Sequence, residues 1–126
     1  MPSELSDEGL KGFVRTQVPK LLQKYRVERV VFFGSRVEGK SAEESDFDLI
    51  VISPDFGGVR VRERMLEVAL LVTPKGGHVD VLCYTPEEFA RLLPISSFLR
   101  QCLETGLSIG AEELRRLAQS TERTGQ

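Results

Sequence analysis

Hydrophobic positions along the chain switch between helical and strand-like spacing, which predicts a mixture of α-helices and β-strands. Before residue 26, apolar residues recur at intervals of three and four, so we expect a helix there that Pro19 kinks or interrupts. Two unbroken apolar runs, at about residues 30–33 and 47–52, are typical of strands covered on both faces. Residues 78–84 are expected to form a third strand.

Helical patterns follow the second and third strands. Over residues 59–72, the apolar side chains are expected on one helical face and the charged ones, including Arg64, mostly on the other. The motif Thr-Pro-Glu-Glu at residues 85–88 predicts a helix that begins with a capping box. Ser96 or Ser97 is expected to cap the next helix, which ends near a glycine.

Length and composition fit one α/β domain of the α+β type. The chain has 126 residues, of which 40% are hydrophobic and 29% charged, as in an ordinary globular protein. We expect a small mixed β-sheet flanked by helices, with a core at about residues 20–105. A short C-terminal helix is expected at residues 111–119, followed by a frayed tail at residues 121–126.

Charge and cysteine content narrow the possible partners and the compartment. A net charge of −2 lacks the basic excess of a protein that binds nucleic acid in bulk, so such binding is not expected. Cys83 and Cys102 lie in apolar surroundings, which is typical of reduced core thiols in the cytoplasm. The sequence shows neither a long apolar run nor a signal pattern, so we expect a cytoplasmic protein without a membrane span.

The most informative motif joins a Gly-Ser turn to a pair of carboxylates. Gly34-Ser35 ends the first apolar run, and after ten intervening residues Asp46 and Asp48 begin the second. A Gly-Ser turn that opens onto a helix offers backbone N–H groups and a hydroxyl to phosphate oxygens. On a strand, residues i and i+2 share a face roughly 6.5 Å apart, where two acids can hold a pair of divalent cations. A solvated turn is the alternative for each half taken alone.

With Asp80 in the third strand, this constellation resembles the nucleotidyltransferase superfamily typified by DNA polymerase beta, and within it the minimal nucleotidyltransferases. The likeness covers roughly residues 20–105. It implies the nucleotidyltransferase fold, ATP or another nucleoside triphosphate as substrate, and two Mg²⁺ ions. It further implies catalytic and metal-binding roles for Asp46, Asp48 and Asp80, and nucleotide-binding roles for Gly34, Ser35 and Arg36.

Asp80 is expected to lie in apolar surroundings. An unpaired carboxylate there would be costly to bury, which points to a metal ion or a cationic partner. A buried salt bridge to an arginine is the alternative. His78 is the only histidine, but in the family a metal-bound carboxylate acts as the base, so we do not assign catalysis to His78.

The acceptor of the nucleotide is left open by the residues themselves. The resemblance implies a small helical HEPN-type toxin as partner, with the chain acting as an antitoxin that places AMP on a toxin tyrosine. A transferase that modifies a small molecule such as an aminoglycoside is one alternative. The other is a non-catalytic antitoxin that masks its partner.

Overall fold

The computed structural model describes the backbone of residues 8–34 and 46–124 and the side chains of residues 9–34 and 47–119. Within these ranges the chain forms six α-helices and four β-strands. In chain order they are α1 (Glu8–Thr16), α2 (Val18–Lys24), β1 (Arg29–Phe33), β2 (Asp46–Ile52), α3 (Val61–Val72), β3 (His78–Tyr84), α4 (Pro86–Leu92), α5 (Ser97–Thr105), β4 (Leu107–Gly110) and α6 (Ala111–Thr124). None of the described helices is long and apolar enough to cross a membrane.

The four strands form one mixed sheet in the order β3-β2-β1-β4. β1 is antiparallel to both of its neighbours, whereas β2 and β3 are parallel and are connected through α3. β3 and β4 are therefore the edge strands. The predicted fold class, a single domain with a small mixed sheet flanked by helices, is confirmed.

Helices cover the two faces of the sheet unevenly. α1, α2, α3 and α6 pack on one face, where they enclose the larger core around Phe32, Leu49 and Val81. The other face carries a smaller core, to which α4 and α5 contribute, around Ile50 and Leu99. Residues at the N-terminal ends of β2 and β3 lie beyond this smaller core. One corner of the sheet is therefore left without a helical cover among the described residues.

Several local predictions are confirmed because short-range signals determine them. The first helical region is divided at Gln17, and Pro19 lies in the first turn of α2, where its missing N–H leaves no hydrogen bond unmade. Thr85 and Glu88 form the predicted capping box at the start of α4. Ser96, rather than Ser97, caps α5, and its side chain accepts a hydrogen bond from the Leu99 N–H.

The strand β4 was not predicted. It has only four residues and pairs with β1, so that Phe32 lies opposite Leu107. Gly106 makes this pairing possible, because a Cβ at that position would collide with the carbonyl oxygens of Phe32 and Cys102. The chain can therefore turn directly from α5 into the sheet.

Two further expectations require correction. Arg64 was expected on the exposed face of α3, but it is 3% exposed because Glu88 and two main-chain carbonyls take up its donors. The last helix was expected to end at residue 119, but α6 continues to Thr124. Residues 125–126 of the predicted tail lie outside the described residues.

Candidate active site

Three neighbouring strands bring Gly34, Asp48 and Asp80 side by side. β1 and β2 pair Phe33 with Asp48, and β2 and β3 pair Asp48 with Asp80. Adjacent strands lie about 4.8 Å apart, so these pairings form a single row across the sheet. Gly34 directly follows Phe33 and lies at one end of the row, with Asp80 at the other. We call this arrangement the carboxylate row.

The outer end of the carboxylate row is open to solvent. Side chains alternate along β3, so that Val79 and Val81 are 7% and 5% exposed, whereas the side chain of Asp80 is 68% exposed. The expectation of a buried Asp80 is therefore wrong, and so is the arginine partner considered for it. β3 is an edge strand at the uncovered corner, and Asp80 pairs instead with His78, whose Nε2 lies 3.2 Å from Asp80 Oδ1.

The turn after β1 passes so close to Asp48 that it requires a glycine at position 34. Its φ is +94°, a conformation that residues with a Cβ rarely adopt, and a Cβ would also collide with Oδ2 of Asp48. The backbone after β1 thus passes directly beside a carboxylate. Ser35 and Arg36, the other two residues predicted to bind nucleotide, lie outside the described residues.

Asp46 is the first residue of β2 and lies opposite His78 in the register. Its backbone is two residues from Asp48, which places the two residues on one face of the strand. The Asp46 side chain lies outside the described ones. Among the side chains that the structure does describe, no three acidic, histidine or cysteine residues come together as a possible metal site.

The described part of the carboxylate row nevertheless fits a hard divalent cation. Asp48 and Asp80 supply carboxylate oxygens from adjacent strands, and Mg²⁺ prefers a few carboxylates together with phosphate and water oxygens. The exposed end at Asp80 leaves room for those further oxygens. The structure therefore brings together two of the three predicted acids.

Two cavities meet at the carboxylate row. The larger, of about 590 Å³, is lined by Asp48 and Asp80 and extends along β3. The smaller, of about 270 Å³, lies beside Gly34. Phe33 and Phe98 line both cavities and form an edge-to-face pair with ring centroids 5.7 Å apart. Phe98 was not predicted to line the site, because its 50% exposure depends on how α5 packs on the sheet.

The floor of the smaller cavity includes the Cys102 thiol. Burial, and next the negative charge of Asp48, raise the pKa of this thiol. Cys102 therefore stays protonated near neutral pH and lacks the thiolate character of a nucleophile. Carboxylate chemistry, not thiol chemistry, is what this corner of the sheet offers.

Comparison with known proteins identifies the domain type. A family model described as "Nucleotidyltransferase domain" matches residues 14–105, a segment that contains the whole carboxylate row. Among proteins of curated function, none matches the chain.

Solved structures resemble the chain at low sequence identity. A crystal structure from Sulfolobus solfataricus, assigned as a nucleotidyltransferase, is 24% identical with a TM-score of 0.51, and the match covers 64% of this chain and 71% of that one. A toxin–antitoxin structure with AMP-PNP is 21% identical with a TM-score of 0.48. A mutant of the toxin–antitoxin pair MntA–HpeT is 18% identical with a TM-score of 0.45. Each of these two matches covers 97% of this chain and 88% of the other.

Proposed function

The chain belongs to the nucleotidyltransferase domain family, and we propose that it transfers AMP from ATP to an acceptor hydroxyl with release of pyrophosphate. The carboxylate row is the observation that carries this proposal. It supports a site with a phosphate-binding turn at Gly34, an acceptor beyond Asp80 and carboxylates between them that would hold a divalent cation. In such a site, positioning of the reactants and electrostatic stabilisation of the transition state account for most of the rate enhancement.

We assign the triphosphate to the Gly34 turn. Because Gly34 has no Cβ, the turn lies directly against the Asp48 carboxylate, and we assign phosphate binding to the N–H groups of this turn. Ser35 would donate hydrogen bonds from its hydroxyl and its amide. Arg36 would neutralise the leaving pyrophosphate with its fork of donors. The roles of Ser35 and Arg36 rest on the sequence motif alone.

Asp46, Asp48 and Asp80 would hold two Mg²⁺ ions, which neutralise phosphate charge and acidify a nearby hydroxyl when bound. Asp80 lies at the exposed end of the row, where it can orient the acceptor and take its proton. The acceptor oxygen then bonds to the α-phosphorus, and the bond from that phosphorus to the pyrophosphate oxygen breaks. The proton passes from Asp80 to solvent.

A polypeptide is the acceptor class that the larger cavity favours. Apolar side chains dominate its lining, with Arg62 as its cation and Asp48 and Asp80 as its acids. A polycationic aminoglycoside would need more acidic walls than these. We propose a tyrosine of a HEPN-type helical toxin as the acceptor and an antitoxin role for this chain; these finer assignments rest on the resemblance of the motifs to minimal nucleotidyltransferases.

The two cysteines bear on the compartment in which the protein acts. Cys83 and Cys102 are both buried and free, as in proteins of a reducing compartment. We therefore propose that the chain acts in the cytoplasm.

Labelled ATP tests the proposal directly. A lysate of the source organism is incubated with α-phosphate-labelled ATP, Mg²⁺ and either the wild type or the double variant Asp46→Asn/Asp48→Asn. We expect one labelled protein band that depends on the wild-type carboxylates. Label in a small molecule would support transfer to a different acceptor. No label from any nucleoside triphosphate would overturn the proposal and favour an antitoxin that only masks its partner.

A further inference from the structure

The outer edge of β3 is unpaired among the described residues. β3 is at the margin of the sheet and has β2 on one side only. Main-chain groups of successive strand residues point to opposite edges. The Tyr84 carbonyl accepts a hydrogen bond from the residue that follows β2, whereas the Cys83 carbonyl accepts one from Arg64. By this alternation, the N–H and C=O groups of Val79 and Val81 face the free edge.

The larger cavity forms a groove along this free edge. Met65 and Leu66 of α3 line one wall, and Phe98 of α5 lines the other. Leu66 is 61% exposed and Phe98 is 50% exposed, although both are large apolar side chains. Since Asp48 and Asp80 line the same groove, it is continuous with the candidate active site. We call it the β3-edge groove.

Resting on the nucleotidyl transfer proposed above, we propose that the acceptor residue lies in an extended segment of its protein, outside that protein's helices, and that this segment pairs with the free edge of β3 as an added strand. Such a strand lies about 4.8 Å from β3. Its residue opposite Asp80 can then place a hydroxyl next in line after Asp48 and Asp80. The phosphate donor at the Gly34 turn, the two carboxylates and the acceptor hydroxyl would then lie next to one another in one row across the sheet.

The groove also defines the chemistry of that segment. Side chains that face α3 meet an apolar wall, so apolar residues are expected at alternate positions. Arg62 lines the groove and forms no ion pair with any described residue, so a nearby acidic residue of the segment would complement its charge. Because Arg64 occupies the Cys83 carbonyl, only a short edge is available, enough for a segment of about three to five residues.

Peptide libraries provide the probe. Each peptide has about nine residues, with a fixed central tyrosine, serine or threonine and randomised flanks that exclude other hydroxyls. Transfer of label from α-phosphate-labelled ATP identifies the best acceptor, which is then remade with single N-methylated main-chain amides. An added strand predicts losses of at least ~10-fold at every second position and small effects between them, because only alternate amides face β3.

Two substitutions on α3 form a matched pair. Leu66 lines the groove, whereas Leu70, one turn later and 76% exposed, does not. We expect Leu66→Glu to raise the KM for the peptide at least ~10-fold and Leu70→Glu to leave it within about twofold. Thermal unfolding of both variants checks that each is folded. An equal effect of the two substitutions, or no period of two in the N-methyl series, would overturn the docking proposal.

Nucleotide binding separates this inference from the proposed function. Binding of a fluorescent ATP analogue with Mg²⁺ is measured on the wild type without a peptide. Binding without labelling of any peptide overturns docking at the β3-edge groove and leaves nucleotidyl transfer to another acceptor standing. Absence of nucleotide binding overturns both.

Discussion

A pair of polar side chains lies near each end of β3, and the two pairs differ sharply in burial. At the C-terminal end, the Arg64 and Glu88 side chains are 4% and 28% exposed, with Nη1 and Oε1 2.6 Å apart. At the N-terminal end, the His78 and Asp80 side chains are each 68% exposed and 3.2 Å apart. Near one end of β3 the pair is therefore part of the packed fold, whereas at the other end it is accessible to a ligand.

The surroundings of the two pairs explain the difference. Arg64 also donates to the carbonyls of Val59 and Cys83, and Glu88 also accepts from the Thr85 N–H, so the buried pair connects α3, β3 and α4. His78 and Asp80 lie instead at the corner that no described helix covers. We infer that the first pair stabilises the sheet and that the second can reorganise around a substrate.

The largest expected effect is on stability, when the buried pair is broken. Arg64→Met should lower the free energy of unfolding by about 3 kcal/mol. This value is at the lower end of the range for breaking a buried ion pair, because Glu88 keeps some contact with water. Urea denaturation measures the change. Arg62→Met, on the same helix but exposed, serves as the control and should stay within about 0.5 kcal/mol. Equal losses in the two variants would contradict the structural role of Arg64.

The second effect is on turnover, when the carboxylate row is broken. Asp48→Asn should lower the transfer rate at least ~100-fold, or about 2.7 kcal/mol of barrier. Folding should survive, because the substitution relieves repulsion from Asp80. Rates of label transfer and thermal unfolding check both statements, with Glu104→Gln, an exposed carboxyl on α5, as the control. A fully active Asp48→Asn variant would refute the site.

A smaller effect concerns acid stability. Hydrogen bonds from Arg64, and then from the Thr85 N–H, hold the pKa of Glu88 below its usual value, although burial opposes the shift. A lowered folded-state pKa stabilises the fold above the unfolded-state pKa, and this stabilisation is lost as the pH falls through the folded-state value.

We therefore expect Glu88→Gln to cost about 1.5 kcal/mol at neutral pH and less below about pH 4. The cost is smaller than for Arg64→Met because the glutamine amide oxygen can still accept a hydrogen bond from Arg64. Urea denaturation across the acid range measures the difference from the wild type. A difference that stays constant with pH would contradict the ion pair.

The smallest effect is expected at the exposed pair. His78→Gln should change the free energy of unfolding by less than about 0.5 kcal/mol, because an exposed pair contributes little. Transfer should also stay within a few-fold, since Asp80 rather than His78 is assigned to the acceptor proton. A pH–rate profile provides the check. Loss of most activity together with one limb of that profile would move the base role to His78.

The sequence was sufficient for elements that local signals specify. Strands β1, β2 and β3, the capping box at Thr85 and the break near Pro19 all depend on residues close together in the chain. β4 was missed because a four-residue strand is too short to show a clear alternation of apolar and polar residues. Its pairing with β1 also joins positions far apart in sequence. The burial of Arg64 was missed because its partner, Glu88, lies 24 residues later on another helix.

The candidate site was predictable in composition but not in exposure. The spacing of Gly34 and Asp48, with the family resemblance for Asp80, pointed to one site. The strand register places Asp80 opposite Asp48, and Asp48 opposite Phe33, the residue before Gly34. The exposure of Asp80 follows from β3 being an edge strand, which no property of its own residues reveals. The position of Phe98 between two cavities likewise depends on tertiary packing.

Calorimetric titration with a non-hydrolysable ATP analogue tests the carboxylate row most directly. The account predicts that wild-type protein binds the analogue only when Mg²⁺ is present, and that Asp48→Asn weakens binding at least ~100-fold while Glu104→Gln binds normally. Binding of equal affinity after removal of Mg²⁺, or in the Asp48→Asn variant, would contradict the assignment of this corner of the sheet as a nucleotidyl transfer site.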